Sequence, residues 1–293
     1  MTDPREIRGV AEISRGPLTR RFGIGLRGNL NAGDYGPLAS LAEDLGFDVV
    51  SVFHDLGDQP AMVPLLEVAT ATRRVMVGPA CLNPYTMRLE EIAGAISALA
   101  QASGGRAYLG LAKGAWLDRI GVAQADPVGR VREAAAFVTS RVQVPLLIGG
   151  WGPRMVALAG EIAGELKVGG SANPAIVPVM RSWLGTPRTG IVLGAVTIVD
   201  EDGRAARARA LAVVQRYFEV VARLDPTLTD APLQITDDLL DRFAFAGTPE
   251  EVARHVDEVF AAGASRVEFG APFGLEPTTG LRHLARSVLP RGE

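Results

Sequence analysis

An alternation between short apolar runs and amphipathic helical segments most constrains the fold of this 293-residue chain. Eight runs have the composition of strands, and a helical pattern follows each of them. Because the runs are apolar at consecutive positions, both faces of each strand should be buried, as in a parallel sheet covered by helices. The runs are RFGIGL, DVVSVFHD, RVMVGPACL, RAYLGLAKG, VPLLIGG, ELKVGG, TGIVLGAVTIVD and RVEFGAPFG.

The helical segments carry recognisable start and stop signals. Gly46 follows the first helical pattern as a C-cap. Thr248 and Glu251 have the spacing of a capping box at the start of a late helix. We also expect a long helical region over 203–223 and a short one over 236–243.

Eight strand–helix units in a chain of this length predict a (β/α)₈ TIM barrel. The alternative is a doubly wound open sheet, which would carry a GxGxxG fingerprint after its first strand. The first strand leads into GIGLRGNLNAG, which has glycines but not that spacing. We therefore expect one barrel domain over 22–293, a flexible N-terminal arm over 1–21, and a flexible insert near 225–235.

Composition narrows the class of protein. The chain is 47% hydrophobic with a formal net charge of −3, which favours a large core and no nucleic-acid partner. No apolar run is long enough to span a membrane. Cys81 stands alone, which is typical of the cytoplasm, and the three histidines lack metal-ligand spacing, so we expect no metal site.

Two glycine pairs end neighbouring strands on the face where a barrel places its active site. Gly149–Gly150 and Gly169–Gly170 would let the backbone approach a ligand closely. The helix after the first pair begins at once with GPRM, so its free N–H groups favour a phosphate. Tight turns between strand and helix are the alternative explanation for each pair.

His54 and Asp55 end the second predicted strand and are the candidate catalytic acid or base. A surface or capping role is the alternative for this histidine. Adjacent residues of a strand face opposite ways, so we expect that both do not reach one substrate atom. Nucleophile elbows, HExxH motifs and paired strand-end acids are missing from the sequence, which favours chemistry carried by a cofactor.

Three stretches together resemble the bacterial luciferase-like superfamily over roughly residues 21–277. They are GPACLNPYTMRLEEIAGAISALAQASGGRAYLGLAKG, VPLLIGGWGPRMVALAGEIAGELKVGG and ITDDLLDRFAFAGTPEEVARHVDEVFAAGASRVEFGAPFG. They are similar to the branch typified by methylenetetrahydromethanopterin reductase, which uses the deazaflavin coenzyme F420.

The resemblance implies a homodimeric F420-dependent oxidoreductase that transfers a hydride between the deazaflavin C5 and a small substrate with a C=C, C=N or C=O bond. It implies a bulge with a non-proline cis peptide at Ala80–Cys81, with Cys81 a wall of the slot rather than a nucleophile. The implied cofactor-binding residues are Ala80, Cys81, Asn83, Ala112, Lys113, Gly114, Gly149, Gly150, Trp151, Gly152, Gly169 and Gly170.

The chain departs from its relatives at three places. Many relatives end strand 2 with Asp-His, whereas here the order is His54-Asp55, and Ala115 lies where many carry a glutamate. The segment between strands 4 and 5 is also short. Two other functions stay open: an FMN-dependent luciferase-like monooxygenase or reductase, and a non-catalytic homologue that only binds the cofactor.

Overall fold

The computed structural model describes residues 20–229 and 234–290. The predicted flexible arm lies outside the described residues except for its last two positions. Part of the predicted flexible insert, 230–233, lies outside them as well. Within the described part of the chain, no helix is both long and apolar enough to cross a membrane.

Nine parallel strands form the sheet of the described chain, and eight of them make a nearly closed barrel. The strand order is β3-β2-β1-β9-β7-β6-β5-β4, and isolated bridges join the two end strands at Val77–Ala107 and Leu82–Leu111. The predicted (β/α)₈ barrel is confirmed. The strands are β1 Arg21–Leu26, β2 Val49–Val52, β3 Met76–Pro79, β4 Leu109–Leu111, β5 Leu146–Gly149, β6 Glu165–Gly169, β7 Gly190–Val199, β8 Ala244–Gly247 and β9 Arg266–Phe273.

Helices cover the outside of the barrel. A 3₁₀ turn, Leu117–Ile120, lies between β4 and the next helix. The helices are α1 Tyr35–Leu45, α2 Met62–Ala71, α3 Leu89–Ala102, α4 Pro127–Thr139, α5 Pro153–Ile162, α6 Ile176–Leu184, α7 Gly203–Val214, α8 Phe218–Leu224, α9 Asp237–Leu240, α10 Pro249–Ala261 and α11 Pro277–Val288.

The structure differs from the sequence-based expectation mainly between β7 and β9. The helical region expected over 203–223 is two helices with a break at 215–217, and the short helix expected over 236–243 ends at Leu240. β8 was not predicted from the sequence; it pairs with the carboxyl half of β7 and lies off the barrel path. Its sequence, AFAG, is too short and too rich in alanine and glycine to give a strand signal.

The two predicted helix boundaries are confirmed. Gly46 adopts a φ of +100° and its N–H donates to the last carbonyls of α1. The Thr248 side chain accepts from the N–H of Glu251, whose carboxylate accepts from the N–H of Thr248 in return.

The main hydrophobic core lies between the outer face of the barrel and the helices. Phe22, Ile24 and Leu26 of β1 point outward and are at most 2% exposed. Phe269 of β9 stacks near Phe22 and packs its edge against other aromatic rings of this layer. Because helices cover the outside of the barrel, the outward positions of the strands are apolar.

The interior of the barrel holds both apolar and charged side chains. β1 turns Gly23 and Gly25 toward the axis, where an added Cβ would meet Val49 and Arg266 at Gly23, and the Phe53 ring and then Glu268 at Gly25. Lys167 of β6 and Glu268 of β9 form a buried ion pair there. The two glycines therefore leave room for the Phe53 ring and for charged side chains of β9, and the charged layer lies below the carboxyl ends of the strands. The apolar part of the interior is a small cluster of Val49, Tyr108 and Leu147.

Candidate functional site

A small open cleft lies where β2, β3 and β4 end. The loop after β2 forms one wall, the turn after β3 forms the floor, and the loop after β4 forms the opposite wall. We call it the mouth cleft; its lining residues are His54, Asp55, Leu56, Asn83, Thr86, Gly114, Ala115, Trp116 and Leu117. Four of the residues predicted from the sequence to belong to the site therefore meet in one place.

His54 lies half-buried on the β2 side of the mouth cleft. Its Nδ1 accepts a hydrogen bond from the backbone N–H of Ala61 at 3.3 Å, so the proton of the neutral ring is on Nε2. Burial lowers the pKa of the imidazole, which favours this neutral form near pH 7.

Asp55 borders the same cleft beside His54. Both residues can border one cleft because β2 ends at Val52 and strand alternation does not extend to them. Desolvation by the surrounding protein, and then the negative charge of Asp58, raise the pKa of the Asp55 carboxyl, although its side chain still reaches solvent. The cleft thus holds a neutral imidazole and a carboxyl group that protonates more readily than usual.

Asn83 follows β3 and is 4% exposed. Its Oδ1 accepts from the N–H of Tyr85 at 3.2 Å, the N–H of Thr86 at 3.0 Å and the Thr86 hydroxyl at 3.1 Å. Three donors converge on this atom, which assigns it as the oxygen and makes the other atom the amide nitrogen. Asn83 therefore holds its own turn with one atom and faces the cleft with the other.

The Ala80–Cys81 peptide bond is cis, as the sequence resemblance implied. The half-buried Cys81 side chain lies close to Gly149 and Gly110, on the axis side of β3. Burial raises the pKa of its thiol to about 12, against a smaller opposing effect of Lys167. A thiol with that pKa is almost wholly protonated near neutral pH, which agrees with a wall and argues against a nucleophile.

The glycine loops after β5 and β6 form the opposite side of the barrel mouth. The N–H of Gly150 donates to Lys167 O at 3.0 Å, and that of Gly170 donates to Gly194 O at 2.6 Å. These two N–H groups are therefore used by the sheet and are not available to a ligand. The Trp151 ring nitrogen donates to Gly169 O at 3.0 Å, which joins the two loops.

The start of α5 provides donors that the sheet does not use. Gly152 is the N-cap and Pro153 follows it at the first helical position. The first-turn N–H groups of Arg154 and Met155 have no hydrogen-bond partner among residues 20–229 and 234–290, as expected at a helix start. A Cβ added at Gly152 or Gly169 would meet nothing within 4 Å, so the loop surface is bare there.

The residues after β4 separate into two environments. Ala112 lies near Gly149, inside the mouth. Gly114 adopts a φ of +84° and lines the mouth cleft. Lys113 between them is exposed and does not line the mouth cleft, and its backbone carbonyl accepts from the Gln124 side chain at 3.1 Å. The chain reversal at Gly114 explains why neighbouring residues divide in this way.

A buried polar network under the mouth was not predicted from the sequence. Glu268 accepts from the Ser51 hydroxyl at 2.7 Å and from Arg266 at 3.2 Å, and it pairs with Lys167. Ser51 in turn lies 2.7 Å from the Tyr108 hydroxyl. The signal that could have found it is a charge repeated with period two on strands otherwise apolar, in ELK of β6 and RVE of β9.

The network is ionised. Burial alone would raise the pKa of Glu268, but the charges of Lys167 and Arg266 outweigh burial and lower it. Lys167 lies 5.0 Å from the centre of the Phe53 ring, just below the mouth. Paired charges therefore lie in the barrel interior directly below the mouth.

Comparisons with known proteins agree with this geometry. Residues 19–142 match the sequence model of the luciferase-like monooxygenase family. The 5,10-methylenetetrahydromethanopterin reductase of Archaeoglobus fulgidus is 25% identical, and the match covers 92% of this chain and 99% of that protein.

Solved structures share the barrel. The coenzyme F420-dependent tetrahydromethanopterin reductase of Methanopyrus kandleri superposes with a TM-score of 0.76 at 21% identity, covering 92% of this chain and 98% of the other. The oxygenating constituent of 3,6-diketocamphane monooxygenase from Pseudomonas putida, solved with FMN, gives 0.68 at 14% identity, covering 92% and 98%. The resemblance to the luciferase-like superfamily is thus confirmed, and the fold is a luciferase-like barrel.

Proposed function

We propose that this chain is a coenzyme F420-dependent oxidoreductase that transfers a hydride between the deazaflavin C5 and a small organic substrate with a C=C, C=N or C=O bond. The observation that carries the proposal is the similarity to a methylenetetrahydromethanopterin reductase along 92% of this chain and 99% of the relative. A match that covers 92% of this chain includes the loops on both sides of the barrel mouth.

The residues present fit a deazaflavin with a phosphate-bearing side chain. Bare backbone at Gly152 and Gly169 and the unused N–H groups of α5 suit a phosphate. Cys81 and Ala112 line the middle of the mouth with small, uncharged groups that suit a flat ring. When bound, the deazaflavin supplies the hydride chemistry, which needs no nucleophile from the protein.

The chain's own residues have three tasks in this proposal. The glycine loops after β5 and β6 hold the phosphate end, while Ala80, Cys81, Ala112 and Gly114 shape the slot. Asn83 fixes the turn that follows β3 and borders the mouth cleft. Asp55 is the proposed proton donor, because desolvation makes its carboxyl easier to protonate. His54 is proposed to support the reaction as a neutral imidazole that offers an Nε2–H hydrogen bond.

An FMN-dependent monooxygenase of the same superfamily is the second candidate. It is favoured by the luciferase-like monooxygenase match over 19–142 and by the barrel of a structure solved with FMN. The two functions differ in what the reduced ring does with oxygen. Oxygen uptake with reduced FMN would favour the second candidate.

The decisive experiment is a titration of the purified protein with F420 and, separately, with FMN, followed by cofactor fluorescence. We expect micromolar binding of F420 and much weaker binding of FMN. Gly169→Ala is a matched variant, because the added methyl group has open space in the protein yet covers backbone that would meet the phosphate. It should keep the wild-type melting temperature and bind F420 more weakly; tight FMN binding would refute the proposal.

We also propose a cytoplasmic homodimer that associates through α2. Val63 and Leu66 of this helix are 60% and 41% exposed. Exposed aliphatic side chains on neighbouring surface positions are typical of association surfaces. Light scattering should give twice the chain mass for the wild type and the single-chain mass for Val63→Glu.

A further inference from the structure

The Asn83 side chain has a second amide atom that the turn does not use. Its Oδ1 takes all three donors of the turn. Its Nδ2 makes no hydrogen bond to any residue in 20–229 or 234–290, yet it is not sealed from solvent. Asn83 is 4% exposed and lines the mouth cleft, so the small exposed part of this residue includes a free donor at the cleft wall.

The donor is held rigidly. Besides the three bonds to Oδ1, Arg130 donates to the carbonyl of Pro84 at 3.2 Å, and the Tyr85 hydroxyl donates to Ala125 O at 2.6 Å. The turn is therefore fixed to α4 and to the loop before it. A donor whose position is set before binding loses little entropy when a ligand accepts its hydrogen bond.

The other cleft groups complement this donor. The neutral His54 ring carries its proton on Nε2, because Nδ1 accepts from Ala61, so it provides a second N–H group. Leu56, Trp116 and Leu117 provide apolar surface. A cleft with apolar walls and two N–H donors suits a small uncharged molecule that carries a hydrogen-bond acceptor.

We propose that Asn83 Nδ2 determines substrate class: the mouth cleft selects a carbonyl compound, an imine, or an alkene conjugated to a carbonyl, and rejects an isolated alkene. This inference rests on the proposed function. When a hydride from the reduced deazaflavin adds to such a substrate, carbon is reduced and the π electron pair moves to oxygen or nitrogen. That atom then takes one proton, and a donor that faces it stabilises the developing charge.

The test uses 2-cyclohexen-1-one as the probe and cyclohexene as its match without an acceptor. With ¹⁵N-labelled full-length protein, both with and without F420, the enone should shift the Asn83 Nδ2 protons downfield and cyclohexene should not. An enone titration that leaves these resonances in place, or equal shifts with the two probes, would overturn the proposal.

Asn83→Asp removes the Nδ2 donor alone. The carboxylate keeps one oxygen to accept from Tyr85 and Thr86, and its second oxygen replaces the amide nitrogen. We expect a near-native melting temperature and roughly tenfold weaker enone binding. Asn31→Asp is the matched control, because Asn31 is exposed and lies outside the mouth cleft. Unchanged enone affinity in Asn83→Asp contradicts the inference, and the wild-type resonances decide the matter if that variant does not fold.

The two proposals fail separately. F420 fluorescence reports cofactor binding, and the Asn83 resonances report the probe in the protein without cofactor. If the protein binds no F420 but shows the enone shift, the proposed function is refuted and the role of Asn83 Nδ2 is supported. If it binds F420 but shows no enone shift, the proposed function is supported and the role of Asn83 Nδ2 is refuted.

Discussion

Lys167→Met should destabilise the protein by about 3 kcal/mol, because it removes one partner of a buried ion pair. The Lys167 and Glu268 side chains are 6% and 0% exposed. Breaking such a pair costs roughly 3–5 kcal/mol when the remaining charge has no other partner. Glu268 keeps Arg266 at 3.2 Å and Ser51 at 2.7 Å, which places the expected loss at the lower end.

The loss should depend on pH in a defined direction. In the folded wild type the pKa of Glu268 lies below its ordinary value, since Lys167 and Arg266 outweigh the opposing effect of burial. Stability from this group is therefore present above the ordinary glutamate pKa and is lost as pH falls through the folded value. Without Lys167 the pKa of Glu268 rises, so Glu268 becomes protonated in the variant at mildly acidic pH. Protonation removes the unpaired buried charge and makes the loss of stability smaller.

Urea unfolding of wild type and Lys167→Met at about pH 7.5 and about pH 5 measures both effects. The difference in unfolding free energy should be smaller at the lower pH. Lys113→Met is the matched control, because Lys113 is exposed, and its stability should stay within about 0.5 kcal/mol of the wild type. A loss below about 1 kcal/mol, or an equal loss at the two pH values, would refute the account of an ionised and coupled interior.

Three further predictions concern single residues. His54→Ala should lower F420-dependent turnover of an identified substrate by roughly a hundredfold, because it removes an N–H donor from the mouth cleft, and unchanged turnover would exclude a catalytic role for His54. Cys81 should react slowly with a disulfide reagent near pH 8, and rapidly only in denaturant, because burial raises its pKa to about 12; fast labelling of the folded protein would contradict this. Gly110→Ala should destabilise the protein, because the added Cβ clashes with the Pro79 carbonyl. Gly94→Ala in α3 is the matched variant: its Cβ meets open space, so it should stabilise the protein by up to about 1 kcal/mol. Melting curves of the two variants and the wild type measure both effects.

The hydrophobic pattern of a strand does not reveal which side chains fill the interior of the barrel. The outward residues of β1 are apolar and the inward ones include Gly23 and Gly25, yet the run RFGIGL looks uniformly buried. Glycine contributes no side chain, so the sequence does not say what fills the space. Part of the filling comes from Arg266 and Glu268 of β9, far along the chain from β1, and part comes from Val49 and Phe53 at the two ends of β2.

The candidate site was predicted in part. The sequence named His54, Asp55, Asn83 and Gly114, and the structure brings them to one cleft. It did not indicate that Asn83 divides its amide between a turn and the cleft, or that Trp116 completes the wall. Side-chain orientation beyond a strand end depends on loop contacts such as that between His54 and Ala61, which no periodicity encodes.

The sequence by itself determined the barrel, because eight apolar runs alternating with amphipathic helices leave few ways to bury both faces of a sheet. It also determined the strand-end location of the site and the resemblance that placed the cis bond at Ala80–Cys81. Only the tertiary structure decided which backbone N–H groups near the glycine loops remain unused and how the charges inside the barrel pair. It also decided that the ionisable side chains of His54 and Asp55 share one cleft. Those outcomes depend on contacts between strands distant in sequence, where a few tenths of an ångström separate a hydrogen bond from an unpaired group.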